Sequence, residues 1–136
     1  METYNFTEIE RRWKARWKEQ RIFSCDLKDP SNKYYTLVMF PYPSGDYLHA
    51  GHGRTYIIAD AVARYLRSRG HRVLNPMGFD AFGLPAENAA IKKGVHPEEW
   101  TLANIRRMHE QFEQWGMSYD WDKEVVSCLP DYYRWT

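Results

Sequence analysis

Tyr34-Tyr35-Thr36-Leu37-Val38-Met39-Phe40, followed at once by Pro41-Tyr42-Pro43-Ser44-Gly45, is the stretch on which the architecture turns. An unbroken β-branched, aromatic and apolar run predicts a strand buried on both faces, as in a parallel sheet covered by helices. The Pro-x-Pro-Ser-Gly segment cannot continue a ladder, so the strand is expected to end at Phe40. After the loop, a helix is expected from Gly53 to Arg69, with Ile58, Val62, Tyr65 and Leu66 pointing inward. Arg64, Arg67 and Arg69 lie towards its C-terminal end, and Gly70 is its stop. His71-Arg72-Val73-Leu74-Asn75 reads as a second short strand. Strand, helix and strand in this order predict a right-handed βαβ unit and an α/β fold.

Upstream, Thr7-Glu8-Ile9-Glu10 has the form of a helix capping box. Ile9, Trp13 and Trp17 then recur at helical spacing and are expected to face the body of the protein. Arg11, Arg12, Lys14, Arg16, Lys18 and Arg21 cover the rest, as a solvated face or, less economically, as an RNA contact. Residues 24–33 read as a loop, so residues 1–33 form an N-terminal helix and loop and residues 34–136 the main domain. Downstream, Met77 to Leu84 reads as glycine-punctuated loop. Pro85 opens a short helix that Gly94 ends. His96-Pro97-Glu98-Glu99 is expected to turn the chain, with Thr101 capping the next helix. That helix buries Leu102, Ile105, Met108, Phe112 and Trp115 and stops at Gly116. Glu124 to Cys128 reads as a third strand.

The chain has 136 residues, enough for one domain with a real core. Its formal net charge of +1 hides an asymmetry. Residues 1–72 carry 13 basic and 8 acidic groups and residues 73–136 carry 6 and 10, a balance of +5 against −4. This argues against a protein that coats nucleic acid and leaves room for an anion site in the first half. Aromatic residues make up 16% of the chain, read first as packing and second as base or sugar stacking. No apolar run approaches a membrane span, and the first residues have no signal-peptide core. Cys25 and Cys128, far apart and outside any CxxC, suggest neither a disulfide framework nor a zinc knuckle. The expected setting is a reducing, cytoplasmic compartment without membrane contact.

The chemistry concentrates in the segment from Phe40 to Gly53. Ligands of open α/β sheets bind at the carboxyl ends of strands beside helix N-termini. Free N–H groups and the positive end of the helix dipole make an anion site there. Ala50, Gly51 and Gly53 are small enough for a ring or phosphate to approach the backbone. His49 and His52, three positions apart in the first turn, can aim at one spot and donate hydrogen bonds to a phosphoryl group. Two histidines at a helix start are also readable as incidental surface residues; their place after a strand favours function. Metal ligation is a further alternative, but no convergent third ligand is evident, and no metal site is expected. Neither a P-loop nor a dinucleotide fingerprint is present.

Phe40-Pro41-Tyr42-Pro43-Ser44-Gly45 and Leu48-His49-Ala50-Gly51-His52 resemble the "HIGH" signature of class I aminoacyl-tRNA synthetases, in the form seen in the leucyl-tRNA synthetase family. Two further blocks, Asn75 to Lys92 and Tyr119 to Trp135, resemble that family's next segments in the same order. The resemblance implies the first half of a Rossmann-like catalytic domain, ending near Thr136 at the entry to an editing insertion. It implies ATP-dependent activation of leucine to leucyl-adenylate and transfer to tRNA(Leu), with magnesium accompanying the nucleotide.

By the same resemblance, His49 and His52 are catalytic residues against the ATP phosphates and ribose, and Gly51 makes room for adenine. Pro41, Tyr42, Pro43, Ser44, Gly45 and Leu48 complete the ATP-binding segment. Phe40 and Tyr42 line the leucine site, where Asp80 is the counter-ion of the ammonium. Without the resemblance, Asp80 reads as a loop-capping carboxylate.

The sequence departs from the family pattern at Ala50, where the signature has Ile, and at Phe79, where Trp is frequent. Asp46-Tyr47 lengthens the loop. No lysine loop of the K-M-S-K-S type occurs in the chain. The chain is therefore expected to be a fragment or one piece of a split enzyme that works with a complementing C-terminal half. The competing readings are a binding-only module for ATP, leucine or a partner, an isoleucine or valine synthetase, and a small nucleotidyltransferase.

Overall fold

The computed structural model describes residues 4–135. The outermost ends of the two expected segments, residues 1–3 and Thr136, lie outside the described residues. The element order is α1 (Phe6–Glu19), β1 (Lys33–Tyr35), α2 (Ala50–Ser68), β2 (Arg72–Leu74), β3 (Gly78–Phe79), α3 (Leu84–Lys93), α4 (Pro97–Trp115), a 3-10 turn (Trp121–Lys123), β4 (Val125–Val126) and α5 (Pro130–Tyr133). The architecture is mixed α/β with short parallel strands, as the sequence predicts.

β1 and β2 pair in parallel across α2, with Tyr34 opposite Val73, and β3 pairs in parallel with β4, with Phe79 opposite Val126. The expected strand over residues 34–40 is shorter than its sequence. Pairing stops after Thr36 N–H donates to Leu74 O at 2.9 Å. Beyond Leu74 the neighbouring chain turns through Asn75 and Pro76, and Pro76 has no N–H to extend the ladder. Nor is the run buried on both faces: Thr36 is buried and Val38 packs on the core, while Leu37 is 73% and Met39 82% exposed.

The core gathers Leu48 and Tyr56 with Phe79, Ile105, Met108, Phe112, Met117 and Tyr119. Phe112 is its hub, with its ring centroid 5.5 Å from Tyr56 and 5.4 Å from Tyr119. α4 supplies Ile105, Met108 and Phe112 as expected, but it starts earlier. Pro97 opens it, the His96 ring accepts from Glu98 N–H at 3.3 Å, and Thr101 is buried inside the helix rather than capping it. Pro97 favours that start because its fixed φ suits the first helical turn and its absent N–H needs no partner there. Gly116 and Gly94 end α4 and α3 in left-handed conformation. Gly70, at φ +84°, closes α2 with His71 N–H donating to Leu66 O and Gly70 N–H to Arg67 O.

α2 turns a different face inward from the one expected. Its buried residues are Gly53, Tyr56, Asp60 and Ala63, while Ile58, Val62 and Tyr65 are exposed and Leu66 half-buried. The helix is apolar on two sides, and the inner side is chosen by polar anchoring. The Asp60 carboxylate accepts from Ser118 N–H at 2.7 Å and from Arg64 Nε at 2.7 Å, and Arg67 reaches Ser118 Oγ at 2.6 Å. Buried polar groups satisfied in this way fix one orientation of a helix whose greasiness alone would not.

α1 is capped by Asn5, whose side chain accepts from Glu8 N–H at 3.2 Å, so the expected Thr7 box does not form. Its Ile9-Trp13-Trp17 stripe is only half covered. Three basic residues expected to be solvated instead tie α1 down: Lys14 to Gln114 O at 2.6 Å, Lys18 to Glu113 at 2.7 Å, and Arg21 to Asp122. Arg64 sits over Trp17, 5.2 Å from the ring centre. Among the described residues no helix is long and apolar enough to cross a membrane.

Candidate active site

The loop between β1 and α2 leaves the sheet at its carboxyl end and delivers the two histidines to the first turn of α2. His49 is the N-cap, so the helix begins three residues before the expected Gly53. Its Nδ1 accepts from Gly51 N–H at 3.1 Å and from His52 N–H at 3.4 Å, and its own N–H donates to His52 Nδ1 at 3.2 Å. The result is a capping box built from two imidazoles, stacked with centroids 3.8 Å apart.

This arrangement fixes chemistry as well as shape. A ring nitrogen that accepts a hydrogen bond carries no proton, so each neutral imidazole keeps its proton on Nε2. Both Nε2–H groups are then donors not used by the cap. Burial, and next the neighbouring His49, hold the His52 pKa below the usual histidine range, which keeps that ring neutral at pH 7. The helix start is therefore not the bare backbone anion site expected from the sequence. The N–H groups of Gly51 and His52 are taken by His49, and an anion approaching α2 meets imidazole donors instead.

Gly51 is small for a reason the sequence did not show. A Cβ there would lie 2.9 Å from His49 Cε1, so a larger residue would push the capping ring aside. At Gly53 a Cβ would make only ordinary contact, 3.6 Å from Trp115. Tyr56, one turn beyond His52, lies parallel to it with centroids 5.7 Å apart, and burial pushes its phenol up to about 12. The i, i+4 spacing from His52 was the sequence signal for this support.

The second corner lies at the other end of the loop. Asp80 N–H donates to Pro41 O at 2.9 Å. Tyr42 hydrogen-bonds to the Asp80 side chain, and that bond, together with the carboxylate's charge, raises the Tyr42 pKa. Tyr42, Pro43, Ser44 and Asp80 line a narrow crevice, with no room for a water molecule, together with Phe82, Gly83, Pro85 and Ala86. Asp80 caps no helix: the residue at the α3 N-cap is Gly83, which makes no side-chain cap. Phe40 stands beside this corner and is 36% exposed, whereas Gly45 lies at the exposed loop tip with nothing within 4 Å of its Cβ position. Leu48 is buried in the core and pins the loop just before His49.

Asn104, Arg107 and Gln111, which the hydrophobic periodicity of α4 does not single out, all reach this loop with their polar ends. A larger cavity, about 690 Å³, lies between α1 and the end of α4, against Trp17, Phe23 and Trp121. It contains none of the signature residues. Among the described residues no group of three or more His, Cys, Asp or Glu side chains is placed to hold a metal ion.

The family model of class I tRNA synthetases (M) matches residues 34–124. The chain is 55% identical over 135 residues to leucine–tRNA ligase of Petrotoga mobilis, covering 98% of this chain and 16% of that protein. It is 55% identical over 135 residues to the leucine–tRNA ligase subunit alpha of Aquifex aeolicus, covering 99% of this chain and 21% of that one. Among solved structures, the LeuRS of Agrobacterium radiobacter K84, in its ternary LeuRS-tRNA-LeuAMS complex, superposes with a TM-score of 0.90 at 45% identity. That match covers 96% of this chain and 17% of that one. The chain thus spans about a sixth of the length of most of these relatives. By its matched family model and its likeness to leucine–tRNA ligases along nearly its whole length, the chain belongs to the class I tRNA synthetase family.

Proposed function

We propose that this chain forms the leucine- and ATP-binding half of a leucine–tRNA ligase catalytic site. The observation that carries the reading is the loop from Phe40 to His52, anchored at one end by the Tyr42–Asp80 pair and at the other by the double-imidazole cap. In the reaction, a leucine carboxylate oxygen attacks the α-phosphorus of ATP in line, the bond to the β-phosphate bridging oxygen breaks, and pyrophosphate leaves. Leucyl-adenylate remains. A hydroxyl of the terminal ribose of tRNA(Leu) then attacks the leucyl carbonyl and AMP departs.

No protein nucleophile is required, so catalysis is positioning and charge stabilisation. Asp80 faces the leucine ammonium, with Tyr42 beside it orienting the carboxylate. Phe40 and Tyr42 border the leucine side chain. The Nε2–H groups of His49 and His52 donate to phosphate oxygens, Pro41 to Gly45 and Leu48 shape the nucleotide side, and Mg²⁺ travels with ATP. The setting of such an enzyme is the cytoplasmic translation machinery.

Exposed apolar residues favour the reading in which a complementing half completes the site. Leu37 and Met39 on the strand run, with Ile57, Ile58, Val62 and Tyr65 on α2, are all between 43% and 82% exposed. Patches of this kind mark interaction surfaces. The Aquifex aeolicus relative is itself named as a subunit alpha.

The test is leucine-dependent ATP–pyrophosphate exchange, with the chain reconstituted with the remainder of a relative such as the Thermotoga maritima leucine–tRNA ligase, to which it is 54% identical. Exchange with leucine, and about 10- to 200-fold less with isoleucine or valine, is expected, the discrimination reflecting the roughly 1–3 kcal/mol available from shape in an apolar pocket. A reconstituted protein that exchanges equally with all three would overturn the leucine assignment.

A further inference from the structure

α4 buries its apolar side with Ile105, Met108 and Phe112, which suffices to hold it on the core. Asn104, Arg107 and Gln111, at i, i+3 and i+7, form a separate polar stripe on the same helix. Each of the three ends on the loop that leads to His49. Asn104, fully buried, donates through Nδ2 to Pro43 O at 2.9 Å. Arg107 donates from Nη1 to Asp46 Oδ1 at 3.1 Å and to Asn104 Oδ1 at 2.9 Å. Gln111 Oε1 accepts from Leu48 N–H at 2.8 Å.

The contacts advance together along both segments, Pro43 to Leu48 on the loop and Asn104 to Gln111 on the helix. The loop therefore runs beside α4 in the same direction, attached at three successive points. Residues 41–49 have no helix or strand hydrogen-bond ladder of their own, so side chains must satisfy and shape this backbone. The last attachment is the backbone N–H of Leu48, the residue immediately before His49. A shift there moves the N-cap, and with it both imidazoles.

We propose that Asn104, Arg107 and Gln111 are positioning residues that set where His49 and His52 stand relative to the phosphates. The proposal rests on the adenylation reading above. These side chains act through the histidines and belong to transition-state alignment rather than to leucine affinity. A displacement of the order of 1 Å at a reacting group costs about 100-fold in rate.

The experiment uses the reconstituted enzyme with Gln111→Leu, which keeps the side chain's bulk and removes the acceptor, and Gln111→Glu, which restores an acceptor. Arg107→Met, at a half-exposed position, serves as a second break in the stripe that spares folding. Leucine-dependent exchange is measured for kcat and for KM of leucine, with hydrogen–deuterium exchange of the Leu48 amide on the same proteins. Gln111→Leu is expected to lose about 100-fold in kcat with little change in KM, and to lose protection at Leu48. Gln111→Glu regains most of both, and Arg107→Met shows a smaller fall in kcat. Unchanged kcat in Gln111→Leu, or equal loss in Gln111→Leu and Gln111→Glu, would overturn the proposal. Absence of exchange in the unmodified enzyme would instead count against the adenylation reading, and the Leu48 amide would still report whether Gln111 holds the loop.

Discussion

Gly78→Ala destabilises the chain by on the order of 3 kcal/mol and lowers its melting temperature by about 10 °C. The cause is steric and lies wholly in backbone. A Cβ at Gly78 would stand 2.0 Å from Val125 O, 2.9 Å from Val125 C and 3.0 Å from Val125 N. No side chain can rotate away to relieve it, so β3 and β4 must separate. Phe79, fully buried, follows directly in the strand, and Asp80 comes next, so the break reaches both the core and the candidate leucine corner. Gly45→Ala is the matched control, because nothing lies within 4 Å of a Cβ there. Thermal and urea denaturation of both variants check this. A Gly78→Ala chain as stable as its parent would mean that β3 and β4 do not pair as described.

Replacing His49 and His52 together by alanine is expected to reduce leucine-dependent pyrophosphate exchange by about 1,000-fold or more, since each removes a donor aimed at developing charge. The double variant also loses a helix cap, which costs about 1 kcal/mol. His49→Asn separates the two effects. Asparagine is a strong N-cap, so this variant keeps its fold, yet it lacks an imidazole Nε2–H at the same reach. Loss of exchange in a His49→Asn enzyme of parental stability assigns the effect to the donor. Exchange within a few-fold of the parent in the double variant would remove both histidines from the chemistry.

Much of this arrangement could be read directly from residue types. Gly70, Gly94 and Gly116 mark three helix ends because left-handed backbone favours glycine, and the chain uses all three that way. The parallel pairing of residues 33–35 with 72–74 follows from a strand, a helix and a strand in close order. Other features depended on distant partners. The inner face of α2 is selected by Ser118 bonding to Asp60, a contact between residues 58 positions apart that no local pattern shows. The two-residue strand at Gly78–Phe79 exists only because Val125 and Val126 lie beside it. The apolar run after Tyr35 reads as buried, but burial depends on what covers it, and here Leu37 and Met39 remain exposed.

The candidate site shows the same division. The signature residues were visible as a motif, and Tyr42 and Asp80 do meet. The capping of α2 by the two histidines was not visible, because histidine is an uncommon cap and its role depends on which nitrogen accepts. The polar stripe of α4 was hidden for a related reason. Asn104 and Gln111 break an otherwise apolar helical pattern, and a reading that follows only hydrophobic periodicity treats such residues as solvent-facing.

In the proposed reaction, leucyl-adenylate is held between the Tyr42–Asp80 corner and the two imidazoles. The most direct measurement is a nuclear magnetic resonance titration of the reconstituted protein, isotope-labelled in this chain alone, with a non-hydrolysable leucyl-adenylate sulfamate. Shifts are expected to cluster at Tyr42, Asp80, His49 and His52, with both imidazoles still protonated on Nε2. Shifts clustered instead around Trp17, Phe23 and Trp121, in the larger cavity under α1, would contradict it.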